Sequence, residues 1–450
     1  MDTPIVDFVR RYADSETLRL HMPGHKGVNF LGVETLDITE IQGADSLYEA
    51  EEIIRESERN AGQLFGANTF YSTEGSSLCI RAMLYLAVLY AREHGRRPLI
   101  AAGRNAHKTF ISAAALLDFD VMWLYPESGQ SYLSVSVSGE DIENTLKNAD
   151  EIPTAVYLTS PDYLGNTVDI AGIAEVCHRY GVLLLVDNAH GAYLKFLPES
   201  RHPIDLGADM CCDSAHKTLP VLTGGGYLHI SKHADPMFKA DAKNAMALFG
   251  STSPSYLILQ SLDLANKYIS GGYPERLANY IAKIDCEKEK ITSLGYTLIG
   301  SEPLKLTIAT KSYGYRGYEL AQLLRERGIE CEFSDRDFCV MMLTPETGEA
   351  GLSRLVRALS DIQKKEKIDE IPPVIAKAER VMTVRNATLS CSEIIPASES
   401  LGRILASATV GCPPAVPILV CGERINEAAV RAFEYYGIEK VAVVTEEVCK

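Results

Sequence analysis

The strongest constraint on this chain is an alternation between residues 50 and 235, where short apolar runs are interleaved with helix-like stretches. PLIAAG (98–103), VMWLY (121–125), TAVYLT (154–159) and GVLLLVD (181–187) read as strands, apolar almost throughout and too short for helices. AEEIIRESERNAGQLFG (50–66), the stretch from Leu78 to about His94, KTFISAAALLD (108–118) and IAGIAEVCHRYG (170–181) carry apolar residues at helical spacing. A strand that is apolar along its whole length is buried on both faces, and the helices between such strands cover them. The expectation is an α/β domain built on a mainly parallel sheet.

Beyond residue 240 the pattern loosens. SPSYLILQSLDLANKYISGG (253–272) and PERLANYIAKIDCEKEKITSLG (274–295) read as long helices, the second able to bridge two domains. TLIG, LKLTIAT, ECEF and FCVMMLT read as strands, with YELAQLLRERG and EAGLSRLVRALSDIQKK as helices between and after them. In the last of these Leu352, Leu355, Val356, Leu359 and Ile362 form one apolar stripe. KEKIDEIPP (365–373) is charged, ends in prolines and reads as a connector. A chain of 450 residues exceeds a single core. The expected division is an N-terminal segment (1–45), a large domain (46–285) and a smaller α+β C-terminal domain (286–450).

The net charge of −16 argues against a nucleic-acid backbone as partner, which needs a basic face. The N-terminus MDTPIVDFVRRYADSE lacks the apolar core of a signal peptide, and AMLYLAVLYA (82–91) is too short to span a bilayer. Eleven cysteines without a C-x-x-C pair read as reduced side chains, so the expected location is the cytoplasm.

Three stretches carry chemistry. STEGSS (72–77) precedes a helix and offers backbone N–H groups, hydroxyls and the positive end of a helix dipole, which suit a phosphate; taken alone, the same residues read more simply as a capped helix without a ligand. VLLLVDNAHGAY (182–193) delivers Asp187 to the end of a strand, where open α/β sheets bind ligands, with His190 beside it. DSAHKTLPVLTGGG (213–226) sets Lys217 after His216 and ahead of a glycine triplet. Lysine avoids interiors unless paired or neutral, so this one is either a surface residue or a pocket amine poised to attack a carbonyl. A phosphate site, a strand-end carboxylate and a lysine, in that order, are the set that pyridoxal 5′-phosphate (PLP) requires. His107 in RNAHKT (104–109) adds an imidazole at a further strand end, able to stack on a flat ring.

Together with LHMPGHKG (20–27), DITEIQGADSLYEA (37–50) and CPPAVPILVCGERI (412–425), these stretches resemble the ornithine/lysine/arginine decarboxylase family in its compact bacterial form. The resemblance implies the aspartate-aminotransferase-like architecture of fold type I and the cofactor PLP. It implies that Lys217 holds the cofactor's aldehyde, Asp187 pairs with the ring nitrogen and His107 stacks on the ring. His216, Gly75, Ser76, Ser77 and Ser214 would contact the cofactor, with His190 reaching cofactor or substrate. STSPSY (251–256), with Thr252, resembles a segment that reaches a neighbouring subunit's phosphate, which implies a homodimer with a shared site. Glu332 and Asp335 fall where the far end of the substrate would lie, and no metal is implied. Five positions in three stretches depart from the family pattern: Glu74 in the phosphate loop, Asp162 and Leu164 in SPDYLG, and Ala415 and Cys421 in the C-terminal motif. These departures bear on the substrate rather than on the cofactor.

The implied reaction is decarboxylation of arginine, lysine or ornithine to an amine of polyamine metabolism. Alternatives on the same fold are transamination or β-elimination, for which Arg354 or Arg385 would have to fix the substrate's α-carboxylate. A non-catalytic relative that binds a partner is the third reading.

Overall fold

The computed structural model describes residues 1–125, 131–407 and 415–445, so Cys412, Pro413 and Pro414 of the C-terminal motif lie outside the described residues. The chain divides into two compact units, Met1–Gly95 with Ile170–Leu277, and Arg96–Asp169 with Ala278–Lys450. Strands of the α/β part are β1 (Asn68–Ser72), β2 (Leu99–Gly103), β3 (Asp120–Leu124), β4 (Ala155–Thr159), β5 (Leu183–Asp187), β6 (Met210–Asp213) and β7 (Gly226–Ile230).

In the first unit β5 pairs parallel with β6, β6 antiparallel with β7, and β7 antiparallel with β1. The register sets Asp187 opposite Cys212, Asp213 opposite Tyr227 and Gly226 opposite Ser72. The end of β5, the end of β6, the start of β7 and the end of β1 therefore share one edge of the sheet. The three stretches STEGSS, VLLLVDNAHGAY and DSAHKTLPVLTGGG all meet at that edge. The antiparallel strand β7 was not foreseen in GYLHI. The turn through Gly224–Gly226 reverses the chain after Lys217 and brings it back beside β6.

Helix Gly75–Glu93 lies against β6 and β7 and buries Leu78, Ile80, Met83, Leu84 and Leu86. It begins three residues earlier than the apolar pattern predicts, because Gly75 and Ser76 already belong to its first turn. Helix Ile53–Phe65 packs on helix Tyr256–Ser270 and is stopped by Gly66, whose φ of 73° is left-handed. The N-terminal helix Pro4–Ala13 is fastened by Asp263, which accepts the Ile5 and Val6 N–H groups at 3.0 and 3.1 Å. Burial pushes the Asp263 carboxyl up to about 6.

In the second unit β4, β2 and β3 pair parallel. A separate antiparallel sheet runs β10-β11-β9-β8, from β8 (Thr297–Ile299), β9 (Lys305–Ala309), β10 (Phe333–Ser334) and β11 (Phe338–Met342). Helix Gly348–Ser360 buries Leu352, Leu355 and Leu359, the core of the expected stripe. Residues 365–373 form neither helix nor strand but are strapped down: Lys311 donates to the Glu370 carbonyl at 2.8 Å and Arg336 to its carboxylate at 3.0 Å. Mainly parallel strands, covered by helices and joined by a smaller antiparallel sheet, make this the expected α/β architecture.

Candidate active site

β6 ends at Asp213 and runs straight into a single helical turn, Ala215–Thr218. That turn aims Lys217, which is half-buried, at His190: Lys217 Nζ lies 3.0 Å from His190 Nε2. His190 is 5% exposed and sits in the turn after β5, which ends on Asp187, itself 2% exposed. Two titratable side chains delivered by adjacent strands thus share a hydrogen bond across the sheet edge. Asp187 Oδ1 accepts the Ala189 N–H at 3.2 Å and lies 3.6 Å from Cys212 Sγ.

Beside them the start of helix Gly75–Glu93 meets the glycine turn. The Gly75 N–H donates to the Gly224 carbonyl at 2.6 Å. A Cβ on Gly226 would stand 2.9 Å from the Asp213 carbonyl, 3.1 Å from the Gly75 carbonyl carbon and 3.2 Å from the Ser76 nitrogen. All three neighbours are backbone and cannot swing aside, so only glycine lets the two turns close on one another. Ser214 Oγ donates to Ser76 Oγ at 2.8 Å, and the His216 ring, held by the Gly225 carbonyl at 2.9 Å, faces Gly75. Gly75, Ser76, Ser77, Ser214, His216, Lys217, Asp187 and His190 therefore gather at one sheet edge.

Glu74, one of the departures from the family pattern, stands at the N-cap of this helix. Its carboxylate is exposed and accepts the Ser251 N–H at 2.6 Å. The Thr252 segment consequently lies against the helix start within a single chain. Tyr48, in DITEIQGADSLYEA, has a buried hydroxyl that burial and the Glu74 charge push up to about 12.

His107 belongs to the second unit. It caps helix Lys108–Leu117, accepting the Thr109 N–H on Nδ1 at 3.2 Å. Glu332 is exposed and accepts the Tyr163 hydroxyl at 3.1 Å. Asp335 spends Oδ1 on the N–H groups of Asp337 and Phe338, both at 2.7 Å, and leaves Oδ2 buried without a hydrogen-bond partner. Burial pushes this carboxyl up to about 6. Asp162, another departure, is fully used: Oδ2 accepts from Ser134 at 2.5 Å and from the Asn166 amide at 2.9 Å, and Oδ1 from two backbone N–H groups. It shapes the wall of a cavity of about 420 Å³ lined with Ser134, Ser136, Thr159 and Ser301 hydroxyls. Arg354 and Arg385, the alternative carboxylate anchors, both donate to backbone carbonyls, of Arg327 and of Ala115 and Leu116.

The sequence reading missed the buried polar centre beneath this edge. Asp213, with a side chain excluded from solvent, accepts His202 Nε2 at 3.2 Å, His229 Nε2 at 3.1 Å and Asn188 Nδ2 at 2.6 Å. Burial alone would raise its pKa; these donors hold it well below the usual carboxylate range. Cys211 Sγ lies 3.9 Å from His202 Nε2, a trio with metal-binding residue types. The geometry is that of a hydrogen-bonded anion, because His202 Nε2 must keep its proton to donate to the carboxylate.

Compared with known proteins, residues 3–298 match the family model described as "Orn/Lys/Arg decarboxylase, major domain". The chain is 30% identical to the arginine decarboxylase of Bacillus subtilis, covering 95% of this chain and 92% of that protein. It is 31% identical to the arginine decarboxylase of Halalkalibacterium halodurans, over 95% and 91% of the two. The fold is shared with the Francisella novicida lysine decarboxylase at a TM-score of 0.76 and 16% identity, over 98% of this chain and 81% of that structure.

Proposed function

Because the chain belongs to the Orn/Lys/Arg decarboxylase family, we propose that it removes the α-carboxylate of a basic L-amino acid, arginine, lysine or ornithine, with PLP as its cofactor. The observation that carries this reading is the 3.0 Å contact between Lys217 Nζ and His190 Nε2, at the edge where Asp187 and the Gly75–Ser77 helix start converge.

The residues present fit the cofactor. The cradle at Gly226, which a single Cβ would fill, is the approach of backbone to backbone that a phosphate site at a helix start requires. PLP, when bound, supplies an electron-accepting ring and an aldehyde that captures amines. Lys217 is the amine to hold that aldehyde, Asp187 the carboxylate for the ring nitrogen, and Ser76, Ser77 and Ser214 with His216 the phosphate contacts. His107 would stack on the ring.

Replacing a carboxylate by hydrogen consumes one proton. The hydrogen-bonded Lys217–His190 pair holds a proton that Nζ or Nε2 can deliver to the carbon that lost carbon dioxide. Near-complete burial of His190 shields its side of that transfer from water. Glu332 and Asp335 are the carboxylates for the cationic end of the substrate. A homodimer completes the reading, with the Thr252 segment shared between sites, in a cytoplasmic enzyme; no helix among the described residues is long and apolar enough to cross a membrane.

The test is a panel of arginine, lysine and ornithine with carbon dioxide, amine and keto acid measured together. Carbon dioxide and amine from at least one substrate, without keto acid, is the expected result. Keto acid in stoichiometric yield would make the protein an aminotransferase, and a protein that gains no visible absorption band with PLP would be a binding relative.

A further inference from the structure

We infer that Asp213 is a positioning residue that registers Lys217 against His190, a role that rests on the proposed decarboxylation. Asp213 lies four residues before Lys217, and its Oδ1 takes the Asn188 amide at 2.6 Å; Asn188 lies two residues before His190. The two segments whose tips meet at 3.0 Å are therefore tied once more, near their roots.

Neither partner in this tie can turn. Asn188 is held by its own backbone, N–H to the Cys212 carbonyl at 3.0 Å and carbonyl to the Gly191 N–H at 2.7 Å. Its side chain occupies the space over Gly191, where a Cβ would come within 2.0 Å of Asn188 Oδ1. Asp213 is fixed from its other oxygen by His202 and His229. His229 Nδ1 in turn accepts the Thr69 hydroxyl at 2.9 Å, which carries the network into β1, the strand that leads to Gly75 and Ser76. One buried anion thus sets the mutual register of the segments bearing the lysine, the histidine and the helix start.

The experiment moves the carboxylate across the tie. Asn188→Asp sets two carboxylates against each other; Asn188→Asp with Asp213→Asn restores one carboxylate and one amide; Asn188→Ser removes the donor without adding charge. In Asn188→Asp and Asn188→Ser, kcat is expected to fall about tenfold or more with KM nearly unchanged, as a misplaced reacting pair predicts. Backbone hydrogen exchange of the 187–191 turn in the cofactor-free protein is expected to rise by a similar factor. The double variant is expected to regain kcat to within about threefold of the parent. A single variant whose kcat falls only in step with its folded fraction, or a double variant that melts like the parent but stays slow, overturns the inference. Unchanged exchange at 187–191 in both single variants overturns it as well. Should the parent protein release no carbon dioxide from any basic amino acid, the functional reading fails, whereas the exchange data still decide whether Asp213 fixes the turn.

Discussion

Asp213 in the first unit and Asp335 in the second are both carboxylates taken out of water, yet the fold treats them in opposite ways. Asp213 receives three side-chain donors, and its pKa is held low in spite of complete burial. Asp335 receives two backbone N–H groups, has one oxygen without a partner, and faces the like charge of Asp337, so its carboxyl rises to about 6. Burial sets the cost of a charge; the number of donors and the sign of the neighbours decide whether the fold meets it. The first arrangement yields rigid positioning, the second a group that changes charge near neutrality.

The contrast can be broken or sharpened by substitution. Lys217→Ala removes the amine at the working end of the Asp213 segment, and carbon dioxide release should fall by about 10³-fold or more; residual turnover near the parent rate would detach the whole strand-end set from catalysis. Asp213→Asn deletes the anion but keeps its shape, and urea unfolding at pH 7 should show a loss of about 3 kcal/mol. Because the folded pKa of Asp213 lies below its unfolded value, that contribution is present above the ordinary carboxylate range and fades as the pH drops through it. The gap between variant and parent should therefore narrow in acid.

Gly226→Ala presses a methyl group on three backbone atoms of the same edge and should cost about 1–3 kcal/mol in the same assay. The smallest effect belongs to Asp335→Asn. Asp335 holds its proton more tightly folded than unfolded, so its favourable contribution is complete below about pH 4 and lost as the pH rises through about 6. The variant should melt like the parent at pH 4 and be about 1 kcal/mol more stable at pH 8. A variant less stable at pH 8 would remove the opposition between the two acids.

Much of the frame is legible in the sequence. The strands β2 to β5 are apolar along their length, and the helices between them keep a clean helical period, so their limits fall within a few residues of the expected ones. β6 and β7 escape the pattern: MCCD is too short to show a period, and GYLHI places His229 in the core, where polarity masks the strand. Lys217, Asp187, His190 and the Gly75–Ser77 loop were found from residue type and order along the chain. Asn188 and Asp213 stood inside the same quoted stretches and were passed over, since nothing in a linear pattern separates a buried hydrogen-bond partner from a turn residue. The partner of Glu74, the Ser251 N–H, is likewise too distant in the chain to be read from the loop.

By itself the sequence determined which residues could react and in what order they come, because helix and strand periods and residue chemistry are local properties. Only the tertiary structure decided that Lys217 meets His190, that Asp213 stays charged in a dry interior and that Glu74 accepts the Ser251 N–H. Those outcomes depend on which donors and acceptors distant strands bring within hydrogen-bonding reach, and the register between strands is what sets that.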